Sequence, residues 1–183
     1  EKHEALANLD AIMAAVDGVM VARGDLGVEI PLEKVPFFQR QIIAKANRAG
    51  KPVITATQML KSMVAAPRPT RAEVGDVANA VLDGTDAVML SEETASGNYP
   101  VESVRIMDRI AAETEKSLPF AEWTHKFDDE EKNEQAAVAQ AACELAENIR
   151  AAALITLTRS GSTARSVARH KPACPVLAFT PDA

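Results

Sequence analysis

The chain has 183 residues, 47% of them hydrophobic, which is material for one domain with a real core or for two small or incomplete ones. Its net charge of −6, from 20 Lys+Arg against 26 Asp+Glu, argues against a general nucleic-acid binder and leaves room for one local small-anion site. No apolar run approaches membrane-spanning length and no signal peptide is visible, so a soluble, reducing, cytoplasmic setting with no membrane partner is expected.

The chain begins at Glu1, without Met, directly on a helical pattern, and so reads as a piece of something longer. Leu6, Leu9, Ile12 and Met13 recur at helical spacing and predict one amphipathic helix, ended by Asp17-Gly18. Val19 to Ala22 is a continuous apolar run, the pattern of a strand buried on both faces of a parallel sheet. It stops at an Arg23-Gly24-Asp25 loop. Ile30-Pro31 starts a second helix, with Val35, Phe38, Ile42, Ile43 and Ala46 on one side and Gly50 at its C-cap. Val53 to Ala56 is the second strand, and Thr57-Gln58-Met59 marks its carboxyl end. Thr70-Arg71-Ala72-Glu73 fits a capping box ahead of the apolar stripe Val74, Val77, Ala78, Val81 and Leu82. Ala87 to Leu90 is the third strand, with Ser91-Glu92-Glu93-Thr94 at its exit. A long helix then starts at Pro100 and carries Val101, Val104, Met107 and Ile110. Strand and helix alternate three times, which implies right-handed crossovers and a parallel sheet. Three such strands cannot close a barrel, which needs eight, and would leave two unpaired edges.

Between Leu118 and Asn133 the composition shifts to Pro119, Trp123, His125 and an acidic cluster, so 119–133 reads as a solvated linker between a first unit, 1–118, and a second, 134–183. The second unit opens on a helix from Gln135 to Ile149 with Val138, Ala142, Leu145 and Ile149 facing one way. A strand from Ala153 to Thr158, the run Arg159-Ser160-Gly161-Ser162-Thr163, a helix to His170 and a strand from Pro175 to Thr180 follow. Cys143 and Cys174 lie in unlike settings with no C-x-x-C, which speaks against a structural disulfide or zinc site.

Three strand ends carry polar groups, and in a sequential parallel sheet all lie on one rim, where α/β folds place their chemistry. An Asp at residue 25 suits Mg²⁺, a hard cation that takes oxygen ligands, and Gly24 lets the backbone approach a ligand. The plainer alternative is that Asp25 caps a helix turn or faces water. Thr57 can equally be a cap, and Glu92 and Glu93 read as loop or helix-dipole residues. An adhesion role for Arg-Gly-Asp would need an exported loop, which nothing supports. Arg159 to Thr163, between strand and helix with Arg165 nearby, offers hydroxyls and N–H groups to a phosphate; the alternative is an ordinary Ser/Thr N-cap.

Several long runs, in order, resemble the pyruvate kinase family: M-V-A-R-G-D-L-G-V-E-I-P at Met20 to Pro31, N-R-A-G-K-P-V-I-T-A-T-Q-M-L at Asn47 to Leu60, P-R-P-T-R-A-E at Pro67 to Glu73, and D-V-A-N-A-V-L-D-G-T-D-A-V-M-L-S at Asp76 to Ser91. The likeness is strong over the first two thirds and looser beyond. It implies an α/β fold: the last strands and helices of a (β/α)8 catalytic barrel, then the start of an α/β regulatory domain. It implies phosphoryl transfer from phosphoenolpyruvate to ADP, giving pyruvate and ATP in glycolysis. By the same resemblance Asp25 would ligate the Mg²⁺ that bridges the phosphoryl group and the enolate oxygen. Glu1 sits where the family's second metal carboxylate ends a Lys-Ile-Glu motif. Backbone N–H groups of Gly24 and Asp25, with Thr57, would hold the substrate carboxylate, and Thr57 would lie on the proton path to the enolate carbon. Arg71 matches an arginine that crosses to a neighbouring subunit of a homotetramer. K⁺ is a family cofactor whose ligands are not in this chain. Leu154 to Arg165 falls where the family binds allosteric effectors, here a sugar phosphate or AMP. Two bare carboxylates about 4 Å apart repel by roughly 4 kcal/mol at an effective dielectric near 20, and a divalent cation between them reverses that sign.

The chain departs from the family at Ser91-Glu92-Glu93-Thr94, where S-G-E-T is usual, so an acidic side chain replaces Gly. It also lacks the catalytic Lys, the N-terminal barrel strands, the nucleotide- and potassium-binding residues and the lid domain. The isolated chain is therefore expected to be inactive. The other reading is a catalytically silent module that binds phosphate ligands through the 159–163 loop.

Overall fold

The computed structural model describes residues 1–118 and 134–181, in two compact units, Glu1–Leu118 and Pro119–Ala183. The expected linker, 119–133, lies outside the described residues. In the first unit, strands β1 (Val19–Ala22), β2 (Val53–Ala56) and β3 (Ala87–Met89) form a parallel sheet in that order. The register pairs Ala22 with Ala56 and Ala56 with Met89, so the three strands end flush. Residues 23, 57 and 90 therefore leave the sheet side by side, and the three polar strand ends share one rim.

The helices of this unit are α1 (His3–Ala7), α2 (Leu9–Ala15), α3 (Arg23–Glu29), α4 (Val35–Arg48), α5 (Arg71–Asp83), α6 (Glu92–Ala95) and α7 (Pro100–Glu115). Helix α5 has the full capping box, with Thr70 and Glu73 bonding reciprocally, and ends at Gly84 with φ of 98°, a left-handed conformation that glycine adopts without steric cost. Two core clusters hold the sheet to its helices. Leu9, Met13, Val21, Ile42, Ile43, Ala46 and Val53 pack α2 and α4 onto β1 and β2. Met59, Leu60, Met63, Val77, Ala80 and Met107 pack the segment after β2 against α5 and α7. Met59, Leu60 and Met63 are fully buried, each contributing about 2 kcal/mol relative to exposure, so the segment beyond β2 is fixed as firmly as the strand itself.

Several sequence expectations are corrected here. The opening helix is two short ones broken at Asn8, whose side-chain amide bonds the Glu4 carbonyl. Arg23-Gly24-Asp25 is the first turn of α3 rather than a loop, because the chain turns helical directly from the strand. The second helix starts at Val35, after a 3₁₀ turn at Leu32–Lys34, since the Pro31 backbone is extended. Met20 is 45% exposed, so β1, at the sheet edge among the described residues, is not covered on both faces. On α7, Met107 is buried as expected, but Val101 and Val104 are exposed and the smaller Ser103 packs inward.

The second unit is built from α8 (Glu134–Asn148), β4 (Leu154–Leu157), α9 (Ser162–Ala168) and β5 (Val176–Phe179), with β4 and β5 parallel. Its core is Ala139, Cys143 and Val167, with Leu154 and Val176 packed against them. The predicted inward stripe on α8 is wrong by one helical face: Val138, Leu145 and Ile149 are 69%, 60% and 65% exposed. Small side chains at 139, 143 and 146 let α8 approach its neighbours closely, and that proximity outweighs the greater hydrophobicity of the larger residues beside them.

Candidate functional site

At the end of β2 the chain does something side chains resist. Thr57 and Gln58 have φ of 68° and 56°, in the left-handed region, which is an outlier for a β-branched residue. Such a conformation persists only where the surroundings impose it, and the imposing group is Arg23. Its guanidinium is buried, 8% exposed, and donates Nε and Nη2 to the Thr57 carbonyl at 3.2 and 2.9 Å. Nη1 donates to Asp76 of α5 at 2.5 Å and to Gln39 of α4 at 3.5 Å. A planar fork that always carries charge can hold a carbonyl and a carboxylate at once.

The next residue completes the link. Gly24 donates its backbone N–H to Thr57 Oγ1 at 2.8 Å, and a Cβ at Gly24 would stand only 3.4 Å from that oxygen. The Thr57 hydroxyl therefore does not cap a turn; it bridges the ends of β1 and β2. Asp25 lies in the first turn of α3, is exposed, and its side chain makes no hydrogen bond or ion pair among the described residues. It is not a cap either. The rim thus joins a backbone N–H, a fixed hydroxyl and an uncommitted carboxylate.

Glu1 is exposed. Its neighbours Lys2 and His3 both reach Glu29, at the other end of α3. Glu29 is four residues after Asp25, so the two share a helix face, about 5–6 Å apart at Cβ. The chain start therefore lies near the carboxyl end of α3. Hydrogen bonds from Lys2, then His3, hold the Glu29 carboxyl below its ordinary value, so it is committed to them. An exposed Asp25 carboxylate suits a hard divalent cation that keeps some of its waters.

The exit of β3 separates two glutamates that look alike in the sequence. Glu92 is exposed and pairs with Lys61, so the acidic side chain in the usual Gly position points to solvent and disturbs no backbone contact. Glu93 is 1% exposed and accepts from the Leu60 N–H at 3.0 Å and the Ser91 N–H at 2.9 Å. It lies in the first turn of α6, as a helix-dipole residue would, but its carboxylate is buried on these two N–H groups. Sequence reading missed both this carboxylate and the Arg23 clamp. A lone Arg closing an apolar run is a weak signal for the second, and nothing distinguishes Glu93 from its neighbour. Arg71 is exposed at the first position of α5.

In the second unit, Arg159, Ser160 and Ser162 are exposed, while Gly161 and Thr163 are half-buried. The N-cap of α9 is Gly161, with φ of 79° and no side-chain cap bond, which overturns the ordinary Ser/Thr cap. Ser160 Oγ instead accepts from the Ser162 N–H at 3.4 Å and lies 3.2 Å from Ser162 Oγ. Arg165 arches over the loop: its guanidinium stands 3.1 Å from where a Cβ on Gly161 would be. A concavity of about 520 Å³ opens beside it, lined by Leu157, Thr158, Arg159, Phe179, Thr180 and Pro181. Hydroxyls with Arg159 at the end of β4 and Arg165 from α9 suit an anion.

The chain is similar to known proteins over nearly its whole length. The description "Pyruvate kinase, barrel domain" matches residues 1–104, and "Pyruvate kinase, alpha/beta domain" matches residues 136–183. Pyruvate kinase of Clostridium acetobutylicum is 50% identical over 182 residues, covering 99% of this chain and 38% of the relative. Pyruvate kinase 2 of Synechocystis is 55% identical over 181 residues, covering 99% of this chain and 30% of the relative. The crystal structure of a pyruvate kinase from Cryptosporidium parvum matches with a TM-score of 0.93 at 46% identity, over 97% of this chain and 36% of that one. The chain spans about a third of the length of the relatives it matches. It belongs to the pyruvate kinase family, with an α/β fold made of part of the (β/α)8 barrel followed by part of the α/β domain.

Proposed function

We propose that this chain supplies the carboxyl-terminal part of a pyruvate kinase active site, in which phosphoenolpyruvate passes its phosphoryl group to ADP. The observation that carries the reading is the joined rim: the Gly24 N–H on the Thr57 hydroxyl, with the unpaired Asp25 carboxylate one residue on. Phosphoryl transfer asks chiefly for positioning and charge stabilisation, and these groups provide both. Asp25 and Glu1 would hold Mg²⁺, which when bound neutralises charge on the phosphoryl group and on the enolate. The Gly24 and Asp25 N–H groups would receive the substrate carboxylate. Because Thr57 Oγ1 already accepts from Gly24, the incoming carboxylate shares or takes over that donor, leaving the hydroxyl turned toward the substrate. From there the Thr57 hydroxyl would relay a proton, giving its own to the enolate carbon while taking one up from water.

Arg159, Ser160, Gly161, Ser162 and Thr163 would hold the phosphate of an effector such as a sugar phosphate or AMP, and Arg71 would meet a neighbouring subunit of a tetramer. K⁺ and the nucleotide would be bound by residues outside this chain, where the catalytic Lys would also lie. The isolated chain should therefore be inactive, and a coupled assay showing turnover above background would contradict that. The positive test replaces the matching 181 residues of the Geobacillus stearothermophilus pyruvate kinase, 52% identical, with this chain. Mg²⁺-dependent formation of pyruvate from phosphoenolpyruvate and ADP is expected. A folded, assembled chimera without that activity would overturn the reading. Titrating AMP and sugar phosphates against Ser162→Ala in the same chimera tests the loop, and unchanged affinity would remove it from effector binding.

A further inference from the structure

The buried carboxylate of Glu93 has no role in the reaction as read above, yet it lies at the active rim. It is 1% exposed, and its hydrogen-bond donors are two backbone N–H groups, those of Leu60 and Ser91. Burying a carboxylate is costly unless charge-assisted hydrogen bonds offset it. A carboxylate placed this way ties the end of the segment after β2 to the exit of β3. At the start of that segment, Arg23 grips the Thr57 carbonyl. Between the two grips lie Thr57 and Gln58, both left-handed, and the fully buried Met59. A strained pair of residues is thus pinned at each end by a buried charged side chain. The packing around Glu93 is close as well: a Cβ on Gly97 would meet the Glu93 carbonyl oxygen at 2.6 Å.

We infer that Glu93 is a positioning residue, the second jaw of a clamp with Arg23 that pins the segment 57–60 at both ends, holds Thr57 and Gln58 left-handed and so keeps the Thr57 hydroxyl on the Gly24 N–H. Both jaws act through the backbone, so releasing either should loosen Thr57 without altering the groups that meet substrate. Loosening a preorganised hydroxyl lowers the rate of the step it serves more than it lowers substrate affinity.

Two measurements test this, and only the kinetic one rests on the phosphoryl-transfer reading. In the whole chain, Glu93→Gln keeps the size of the side chain but can accept only one of the two N–H groups. Amide hydrogen exchange at Leu60 and Gly24 should accelerate by about tenfold or more, while Val21 and Val53 in the core stay as in the parent. Arg23→Lys, which keeps the charge and loses the fork, should give the same signature at Gly24 from the opposite end. In the chimeric enzyme, Glu93→Gln should lower kcat by about tenfold with KM for phosphoenolpyruvate within about twofold. Unchanged exchange at Gly24 in both folded variants overturns the clamp. So does collapse of both to unfolded chains, because the two charges would then serve the fold as a whole. An inactive parent chimera would sink the functional reading and leave the exchange result to decide the clamp.

Discussion

Glu73→Ala is the perturbation whose size the structure defines best. The Glu73 carboxylate accepts four hydrogen bonds: Ser62 N–H at 2.6 Å, Ser62 Oγ at 2.5 Å, Thr70 N–H at 2.7 Å and Thr70 Oγ1 at 2.9 Å. The Thr70 pair is the Glu73 side-chain half of the α5 capping box, while the Glu73 N–H on Thr70 Oγ1 survives the substitution, so this pair is worth about 1 kcal/mol. The Ser62 pair fixes the 3₁₀ turn after β2 (Lys61–Val64) to the start of α5. Those groups are only half-buried, so water replaces part of what is lost and the second pair is worth about 1 kcal/mol more. The total is about 2 kcal/mol, against about 1 kcal/mol for Thr70→Ala, which removes only the cap. Partial burial pushes the Glu73 carboxyl up, but the bonds from Ser62 and Thr70 together hold it below its ordinary value of 4.5. A depressed carboxyl contributes stability that is present above its ordinary value and lost as pH falls through the depressed one. Urea unfolding followed by far-UV circular dichroism, at pH 7 and again near pH 3, measures both effects. The variant should lie about 2 kcal/mol below the parent at pH 7, with the gap closing in acid. A difference under about 0.5 kcal/mol, or one that persists unchanged in acid, would refute the reasoning.

Burial, with Cys174 and Glu144 nearby, pushes the Cys143 thiol up to about 11. Iodoacetamide at pH 8 should therefore label the half-buried Cys174 and spare Cys143 until the chain is unfolded, read by mass spectrometry; equal labelling in the native state would contradict the burial. A thiol raised in this way contributes stability below its ordinary value of 9.0 that is lost as pH rises through about 11. Leu145→Ser, on the exposed face of α8, should change the unfolding free energy from urea titration by no more than about 0.5 kcal/mol, whereas Ala139→Asp on the buried face should cost several. The reverse order would restore the stripe read from the sequence.

What was legible in the sequence was whatever a local pattern encodes. Thr70 and Glu73 announce a capped helix because the cap is built from residues three apart, and Val19 to Ala22 announces a strand because its apolar run is unbroken. The common rim was legible too, since sequential parallel strands bring Arg23 and Thr57 side by side. What stayed hidden depends on distance rather than order. Nothing near Glu93 says that its carboxylate is buried on Leu60, thirty-three residues away, while Glu92 beside it meets solvent. Nor does an Arg at the end of a strand reveal that it reaches a strained Thr57 carbonyl and an Asp76 together. The α8 face was misjudged because hydrophobicity was counted and packing distance was not: Ala139 and Cys143 are inside because they are small.

The account turns on the Asp25 carboxylate standing free at the rim beside Thr57. The most direct measurement is the Mg²⁺-dependent turnover of the chimeric enzyme with Asp25→Ala, alongside the unaltered chimera. Removing an oxygen ligand that steadies developing charge should cost several kcal/mol, a loss of about 10³-fold in kcat/KM. Turnover within about tenfold of the parent, at the same Mg²⁺ concentration, would take Asp25 out of the reaction and the account with it.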